Sequence, residues 1–259
     1  MKLTYSLGFV LLFFIGSLRG QSPDTTQKSY HFRGNISVTQ NGMSLIPAFS
    51  LGKPAAIAEL SIGGDKLSFD PEIRFDLNGQ PWSFIFWWRY QFLPKSRFRL
   101  HAGAHPAFIF RNTTVMSAKG LPVESMEGRR FFAGEIGPSY RISDQMRVGG
   151  IFLVGRSLGK VPKEINQFYA IHTTLNAFKP AHEWTVQVRP MAFYLQMNDR
   201  RGFFLSSSFL VANKNFPISL GSIVSRKTVS TIEVEDWIWN ISLIYSFSND
   251  FQRKTAAYL

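Results

Sequence analysis

Residues 236–247, DWIWNISLIYSF, alternate in polarity, and this alternation constrains the fold more than any other feature of the chain. Every second residue from Trp237 to Phe247 is apolar, with aromatic side chains at both ends of the series and aliphatic ones in its middle. The intervening series includes Asn240 and Ser246. A period of two predicts a β-strand that has one apolar and one more polar face.

The same pattern recurs in three earlier segments, at residues 66–77, 81–92 and 97–111. Their apolar faces are continuous from end to end, whereas the opposite faces contain charged residues in mid-segment, of both signs in residues 66–77. A soluble β-sandwich also has one apolar face per strand and is the alternative interpretation. The mid-segment charges and the aromatic ends favour transmembrane strands, for which about 9 to 11 residues suffice.

Turn residues divide the chain into about twelve such segments, and none keeps a helical period of apolar residues. The predicted strands are residues 43–52, 56–63, 66–77, 81–92, 97–111, 127–142, 145–157, 166–178, 183–197, 201–212, 216–227 and 236–247. Residues 30–39 alternate as well, but a thirteenth strand would break the even number that bacterial outer-membrane barrels use. They are therefore interpreted as an N-terminal lead. The predicted fold is all-β, a closed antiparallel transmembrane β-barrel of about twelve strands.

The lengths of the connections support a barrel. Tight turns fall near residues 64, 94, 143, 180 and 214. The longer connections, at residues 112–126, 158–165 and 228–235, all fall at the opposite end. Outer-membrane barrels likewise alternate long extracellular loops with short periplasmic turns.

The last predicted strand resembles a feature of the outer-membrane β-barrel proteins of Gram-negative bacteria. WNISLIYSF ends in the alternating Leu243, Tyr245 and Phe247, as does the terminal signal that the barrel-assembly machinery reads in that family, although residues 248–259 follow it here. The abundance of phenylalanine, with Gln21 directly after a glycine, resembles exported proteins of Bacteroidota. The resemblance implies an outer-membrane location. It also implies outer-membrane lipid, lipopolysaccharide and the assembly machinery as partners.

The N-terminus has the layout of a secretory signal peptide. Lys2 precedes an apolar run from Leu7 to Ile15, which is too short for the ~18 residues of a membrane span, and small and polar residues follow. The predicted organisation is a signal peptide (1–20), an N-terminal lead (21–42), the barrel (43–247) and a C-terminal tail (248–259). The chain contains no cysteine, so no disulfide stabilises the fold.

The chain is basic, with a formal net charge of +12, and loss of Lys2 and Arg19 with the signal peptide would leave +10. The basic residues are dispersed along the chain in runs of no more than two and form no nucleic-acid recognition motif. Nucleic acid is therefore not a predicted partner. Anionic lipid, lipopolysaccharide and anionic solutes are the expected ones.

Alternation predicts a charged interior. The residues predicted to face it are Glu59, Asp70, Glu72, Arg74, Arg89, Arg99, His101, His105, Glu135, Arg141, His172 and Arg189. They predict either a salt-bridge network that fills a narrow barrel, or a constriction that selects small anionic or sugar-like solutes. The aromatic residues predicted at the membrane interfaces are Trp82, Trp88, Tyr90, Trp237, Trp239, Tyr245 and Phe247.

Catalysis has weaker support in the sequence. His101 and His105 share a face with nearby serines and carboxylates, but no motif singles out a nucleophile, so no catalytic residue is assigned. On a strand these two histidines lie roughly 13 Å apart, and no metal or cofactor is predicted. The predicted function is a small porin-like channel or structural barrel. The alternatives are a barrel enzyme acting on envelope lipids and a non-conducting subunit of an outer-membrane complex.

Overall fold

The computed structural model describes residues 29–94, 96–117, 121–159, 164–178 and 183–252. Its strands are β1 (Ser29–Thr39), β2 (Ala55–Gly64), β3 (Leu67–Asp76), β4 (Pro81–Gln91), β5 (Phe98–Met116), β6 (Pro122–Arg141), β7 (Met146–Leu158), β8 (Ile165–Phe178), β9 (Trp184–Met197), β10 (Arg200–Asn213), β11 (Phe216–Ser230) and β12 (Trp237–Gln252). A 3-10 turn spans Pro47–Phe49. Within these ranges, no helix is long and apolar enough to cross a membrane.

The twelve strands form one closed barrel. Each strand pairs antiparallel with its neighbours in the chain, and β1 pairs with β12 to close the sheet. The closing register runs from Ser29 opposite Gln252 to Thr39 opposite Ser242. Closure leaves no free edge, so the strands satisfy one another's backbone hydrogen bonds. The predicted fold class, a closed antiparallel barrel of twelve strands, is confirmed.

The first strand is not the one predicted. Residues 43–52 form no strand, whereas residues 29–39 form β1, and the total stays at twelve because the two errors offset each other. The segment 43–52 leaves the sheet because its apolar residues pack inside the barrel, where Met43 and Ile46 are buried. The barrel strands therefore run from residue 29 to residue 252, beyond the predicted 43–247 at both ends. The predicted signal peptide, at residues 1–20, lies outside the described residues.

The two ends of the barrel differ in their connections. The terminal end, where β1 begins and β12 ends, has the connections after β2, β4, β6, β8 and β10. The loop end has the other connections, which include residues 40–54 and 231–236. The hairpin of β5 and β6, strands of 19 and 20 residues, also extends from the loop end. The longest connection, residues 40–54, thus lies at the loop end as predicted, but the predicted connection 112–126 is mostly strand, and residues 92–97 at the terminal end are as numerous as residues 231–236 at the loop end.

The inside of the barrel has two layers. Its loop-end half is apolar, built from inward-facing strand residues and from two residues of the loops. The buried members of this apolar cluster are Ile46, Trp87, Ala133, Leu153, Phe168, Ala170, Phe193, Leu195, Phe204 and Ile232. Phe193 stacks on Phe204 with ring centroids 5.0 Å apart. The terminal half of the interior contains most of the charged side chains and is described below.

The outer surface of the barrel is apolar. Large hydrophobic side chains are exposed on every strand, among them Val38, Leu205, Ile241 and Leu243. Exposed aliphatic side chains in such numbers would be costly in water but suit a hydrocarbon solvent. The polarity alternation of the sequence is therefore realised with its apolar face outward.

Trp82 is an exception to this alternation. A register shift between Arg74 and Phe75 of β3 makes Trp82 the extra residue of a β-bulge on β4. Trp82 and Ser83 are both buried as a result. The prediction that Trp82 lies at the membrane interface is wrong, because the bulge turns its ring inward.

Candidate functional site

The barrel encloses a cavity of about 1310 Å³. Its walls come from all twelve strands and from the segment 40–54, and in the terminal half they contain arginine, histidine and carboxylate side chains. A charged cavity inside a membrane barrel is where solutes would pass or bind. We therefore take it as the candidate functional site.

Arg89 on β4 is the centre of an ion network. Its Nη1 donates to Asp70 Oδ2 on β3 at 3.0 Å, and its Nε donates to Glu135 Oε1 on β6 at 2.7 Å. Its guanidinium also lies over the ring of Trp87, 4.2 Å from the centroid. His101 Nε2 lies 3.3 Å from the same Glu135 oxygen. Arg89 therefore binds one carboxylate on the adjacent strand β3 and another on β6, two strands away.

Gly103 makes the contact between Arg89 and Glu135 possible. It lies on β5 directly opposite both Arg89 and Glu135. A Cβ atom at position 103 would lie 3.1 Å from Arg89 Cγ and 3.3 Å from Glu135 Cγ. The missing side chain therefore leaves the space through which Arg89 reaches across β5.

Carboxylates concentrate on the wall formed by β2 and β3. Glu59 lies directly opposite Glu72, and Arg74 forms an ion pair with Glu72. Asp70 accepts hydrogen bonds from Ser61 Oγ at 2.7 Å and from Ser68 Oγ at 3.1 Å. Arg74 and Arg89 offset part of this negative charge.

Arginines on β5, β7 and β9 form what we call the basic wall of the cavity: Arg99, Arg147 and Arg189. Arg141 lies directly opposite Arg147, and Arg99 lies opposite Ser139, whose Oγ accepts from Arg147 Nη1 at 3.5 Å. Arg189 on β9 also faces the cavity. Within the described part of the chain, no carboxylate lies within ion-pair distance of Arg99, Arg147 or Arg189. Like charges this close are unfavourable unless an anion or water stabilises them.

The segment 40–54 narrows the cavity at the loop end. Trp82 Nε1 donates to the carbonyl oxygen of Phe49 at 2.9 Å, and the ring of Phe49 packs on Phe131 at a centroid distance of 5.7 Å. Arg111 donates to the carbonyl oxygen of Ala48 and lies over the Phe49 ring. This inward segment is therefore anchored to both β4 and β5.

The connection between β11 and β12 also turns inward. Ile232 is buried in the apolar cluster, and Lys227 Nζ donates to the carbonyl oxygen of Val234 at 2.8 Å. Lys227 also pairs with Asp236 Oδ1 at 2.8 Å, and this hydrogen bond holds the pKa of Asp236 below its ordinary value. Two loops thus contribute apolar side chains to the loop-end half of the interior.

All but one of the residues predicted to face the interior line the cavity or the pocket beside it; the exception is Arg141, which is exposed and lies 3.9 Å from Asp144 in the turn after β6. Those that line the cavity or the pocket beside it are Glu59, Asp70, Glu72, Arg74, Arg89, Arg99, His101, His105, Glu135, His172 and Arg189. Their role in selectivity stays a prediction. The sequence analysis missed His31, Arg33 and Arg147, which line the same cavity. The alternation of His31 and Arg33 with Phe32 and Gly34 indicates that the two polar residues face inward, but the even-number rule assigns this segment to an N-terminal lead.

Among the described residues, the contact between a histidine and a serine does not have the geometry of a catalytic triad. His31 Nε2 lies 3.0 Å from Ser61 Oγ, and Ser61 in turn donates to Asp70. In a serine triad the histidine lies between the serine and the carboxylate, whereas here the serine lies between them. His101 contacts Glu135, while His105 packs on Trp87 at a centroid distance of 4.0 Å. In the described ranges no three metal-ligating side chains come together.

The remaining predicted interface aromatics lie on the outer surface. Trp237 and Trp239 are exposed near the loop end, where Arg226 lies over the Trp237 ring. Trp88, Tyr90 and Tyr245 are exposed toward the terminal end. Phe247 is half-buried against Phe32, with ring centroids 5.4 Å apart. The aromatics therefore lie toward the two ends of the outer surface, as membrane interfaces favour.

Comparison with solved structures finds a similar barrel fold in a porin. The NanC porin superposes with a TM-score of 0.52 at 10% sequence identity, over 83% of this chain and 98% of that one. The chain has the fold of an outer-membrane porin barrel. The KdgM porin in complex with disordered oligogalacturonate has a TM-score of 0.49 at 9% identity, over 85% and 99% of the two chains. An outer-membrane channel from Pseudomonas putida F1 has a TM-score of 0.46 at 8% identity, over 88% and 100%.

At the level of sequence no relationship is found. No family model matches the chain, and no curated protein matches it. The porin barrel fold is therefore established by structure alone, and the function of this barrel has to be argued from its own residues.

Proposed function

We propose that this porin barrel is a small outer-membrane channel that prefers anions. The observation that carries the proposal is the basic wall, on which Arg99, Arg147 and Arg189 face the cavity without carboxylate partners among the described residues. Uncompensated arginines in a narrow passage lower the energy of an anion there and raise that of a cation. Small solutes with carboxylate or phosphate groups, including acidic sugars, are the proposed substrates.

The carboxylate-rich wall and the basic wall create an electric field across the proposed passage. Carboxylates concentrate on β2 and β3, whereas the arginines of the basic wall lie on β5, β7 and β9. A solute with one anionic group and several hydroxyl groups would direct the anion to the basic wall and its hydroxyl groups to the opposite one. The segment 40–54 forms the constriction through which it passes.

The test is ion selectivity in planar bilayers. The reversal potential of the wild type in a salt gradient should indicate anion preference, and Arg99→Glu with Arg147→Glu should shift it toward cations. Arg130→Glu with Arg226→Glu is the matched control, because both arginines are exposed on the outer wall and the charge change is equal. Equal shifts in both double variants, or a wild type that never conducts, would remove the basic wall from a conduction pathway.

A second candidate, a non-conducting structural barrel, is favoured by one observation. The loop-end half of the interior is filled with apolar side chains, including Ile46 and Ile232 from the two inward loops. A barrel closed there would show no conductance but would still fold and resist denaturation. The same bilayer experiment separates the two candidates.

We further propose that residues 1–20 are a cleaved signal peptide and that the source lies in Bacteroidota. The first part rests on the short apolar run after Lys2, and the second on the 25 phenylalanines of the chain and on Gln21 after Gly20. In this arrangement the terminal end of the barrel faces the periplasm and the loop end faces outward. Mass spectrometry of the mature protein should give Gln21 as its first residue.

A further inference from the structure

Charge on the outer wall is confined to one end of the barrel. The outward-facing strand residues at the terminal end are uncharged in the described part of the chain. Toward the loop end, four arginines on different strands are exposed on the outer wall: Arg130, Arg156, Arg201 and Arg226. No described carboxylate lies within ion-pair distance of any of them. In a bilayer these four cations need anionic partners from outside the chain.

Below these arginines lies a row of four aromatic rings. Phe152, Tyr169, Tyr194 and Phe203 lie opposite one another on β7 to β10. The ring centroids of successive pairs are 6.2, 6.3 and 4.9 Å apart. Tyrosine rings in a row around a barrel mark the level of the lipid headgroups.

A polar row follows directly toward the loop end. Gln167 lies opposite Gln196, and Gln196 lies opposite Arg201. The hydroxyl group of Tyr169 donates to Gln167 Oε1 at 3.1 Å, and that of Tyr194 donates to Gln196 Oε1 at 3.2 Å. Each tyrosine therefore holds the carbonyl oxygen of its glutamine, and Gln196 Nε2 donates one hydrogen to the carbonyl oxygen of Asn198 at 3.0 Å, which leaves its second hydrogen for a ligand.

Arg156 completes this row on the other side. It lies opposite Ile165, so Gln167, two residues further on β8, is its diagonal neighbour on the outer face. Arg156 and Arg201 thus lie at the two ends of the polar row, three strand spacings apart, or about 14 Å. Guanidinium groups bind phosphate with two parallel hydrogen bonds, and the glutamines between them can bind hydroxyl groups.

We propose that Arg156, Gln167, Gln196 and Arg201 bind the headgroup of lipopolysaccharide on the outer wall of the barrel. The phosphorylated disaccharide of that lipid has phosphates at either end for the two arginines and hydroxyl groups between them for the glutamines. Its acyl chains lie along the aromatic row and the aliphatic surface below. The proposal shares with the channel function the outward orientation of the loop end, but it does not depend on conduction.

The test is binding of purified lipid A to the full-length mature protein in detergent micelles, measured by native mass spectrometry. Arg156→Gln with Arg201→Gln should weaken binding of bisphosphorylated lipid A by about tenfold or more, since charge-assisted contacts to two phosphates are lost. Lys66→Gln with Arg97→Gln, an equal charge change at exposed positions of the terminal end, should leave binding unchanged. Retained heat-modifiable migration on gels shows that each variant is folded.

Three results would overturn the proposal. The first is equal binding of bisphosphorylated and phosphate-free lipid A, which would mean that only the acyl chains are recognised. The second is displacement of lipid A by inorganic phosphate at similar concentration, which would indicate a site for free phosphate. The third is equal loss in the two double variants, which would indicate net charge alone. If Arg156→Gln with Arg201→Gln does not fold, Gln167→Leu with Gln196→Leu tests the same site without a charge change.

Discussion

Arg89 reaches Glu135 across an intervening strand, with Nε 2.7 Å from Oε1, because Gly103 on that strand has no side chain. The same guanidinium also binds Asp70. One cation therefore offsets two carboxylates on strands that do not touch. This bridge links β3, β4 and β6 from inside the barrel, independently of the backbone ladder.

Replacing Arg89 should destabilise the barrel. Arg89→Met leaves Asp70 and Glu135 without their cation, and we expect the free energy of unfolding to fall by about 2 kcal/mol. Urea unfolding in lipid vesicles, followed by tryptophan fluorescence, measures this change. Arg33→Met is the control, because the Arg33–Asp250 contact of 3.5 Å is exposed and should contribute roughly 0 to 1 kcal/mol. Equal losses in the two variants would contradict the network.

Loss of the Trp82 hydrogen bond should loosen the inward segment. Trp82→Phe keeps an aromatic ring but removes the donor to the Phe49 carbonyl oxygen. We expect faster chymotryptic cleavage after Phe49 in the folded protein, detected by mass spectrometry of the fragments. Trp88→Phe, an identical change on the outer wall, should leave the rate unchanged. If both variants resist cleavage as the wild type does, Trp82 does not anchor the segment.

Two adjacent residues of β12 should respond oppositely to the same substitution. Leu243 is exposed on the outer wall, whereas Ser242 lines the cavity. Leu243→Arg should lower the free energy of unfolding in vesicles by about 2 to 4 kcal/mol, since a charge then faces hydrocarbon. Ser242→Arg should cost much less, because its side chain faces a polar interior. The reverse order would place the apolar face inside and refute the membrane orientation.

Cysteine pairs can test the closing strands in a chain that has none of its own. Asn35 lies opposite Ser246, and Ser246 Oγ donates to Asn35 Oδ1 at 2.8 Å. Asn35→Cys with Ser246→Cys should cross-link with a short thiol reagent and give a shifted band on a denaturing gel. Asn35→Cys with Ser242→Cys, displaced by four residues along β12, should not. Cross-linking of the displaced pair alone would indicate another register.

Most of the barrel could be predicted from the sequence because inward and outward positions alternate along each strand. The charged lining, from Glu59 on β2 to Arg189 on β9, follows from that alternation alone. The first strand could not be assigned this way, since residues 43–52 are apolar enough for a strand yet pack inside, and only tertiary contacts decide between the two. The rule that such barrels have an even number of strands then excluded residues 30–39, which in fact form β1.

The failure at Trp82 has a different cause. A bulge shifts the alternation of inward and outward positions by one residue. A side chain at the bulge therefore faces the side opposite to the one that its sequence position predicts. The Arg89–Glu135 contact was also missed, because these residues lie two strands apart and no rule for adjacent strands reaches that far. Gly103 was the available signal, since a glycine within a strand often marks a close approach.

The seam between β1 and β12 joins the first described residues of the chain to the last ones. Until β12 is in place, the growing sheet has two unpaired edges, and both would expose backbone groups to lipid. Folding therefore cannot finish strand by strand, and the last contact to form spans more than two hundred residues. An assembly factor that pairs with one free edge until the other edge arrives would lower this kinetic barrier. The seam between β1 and β12 is therefore where such a factor would accelerate folding most.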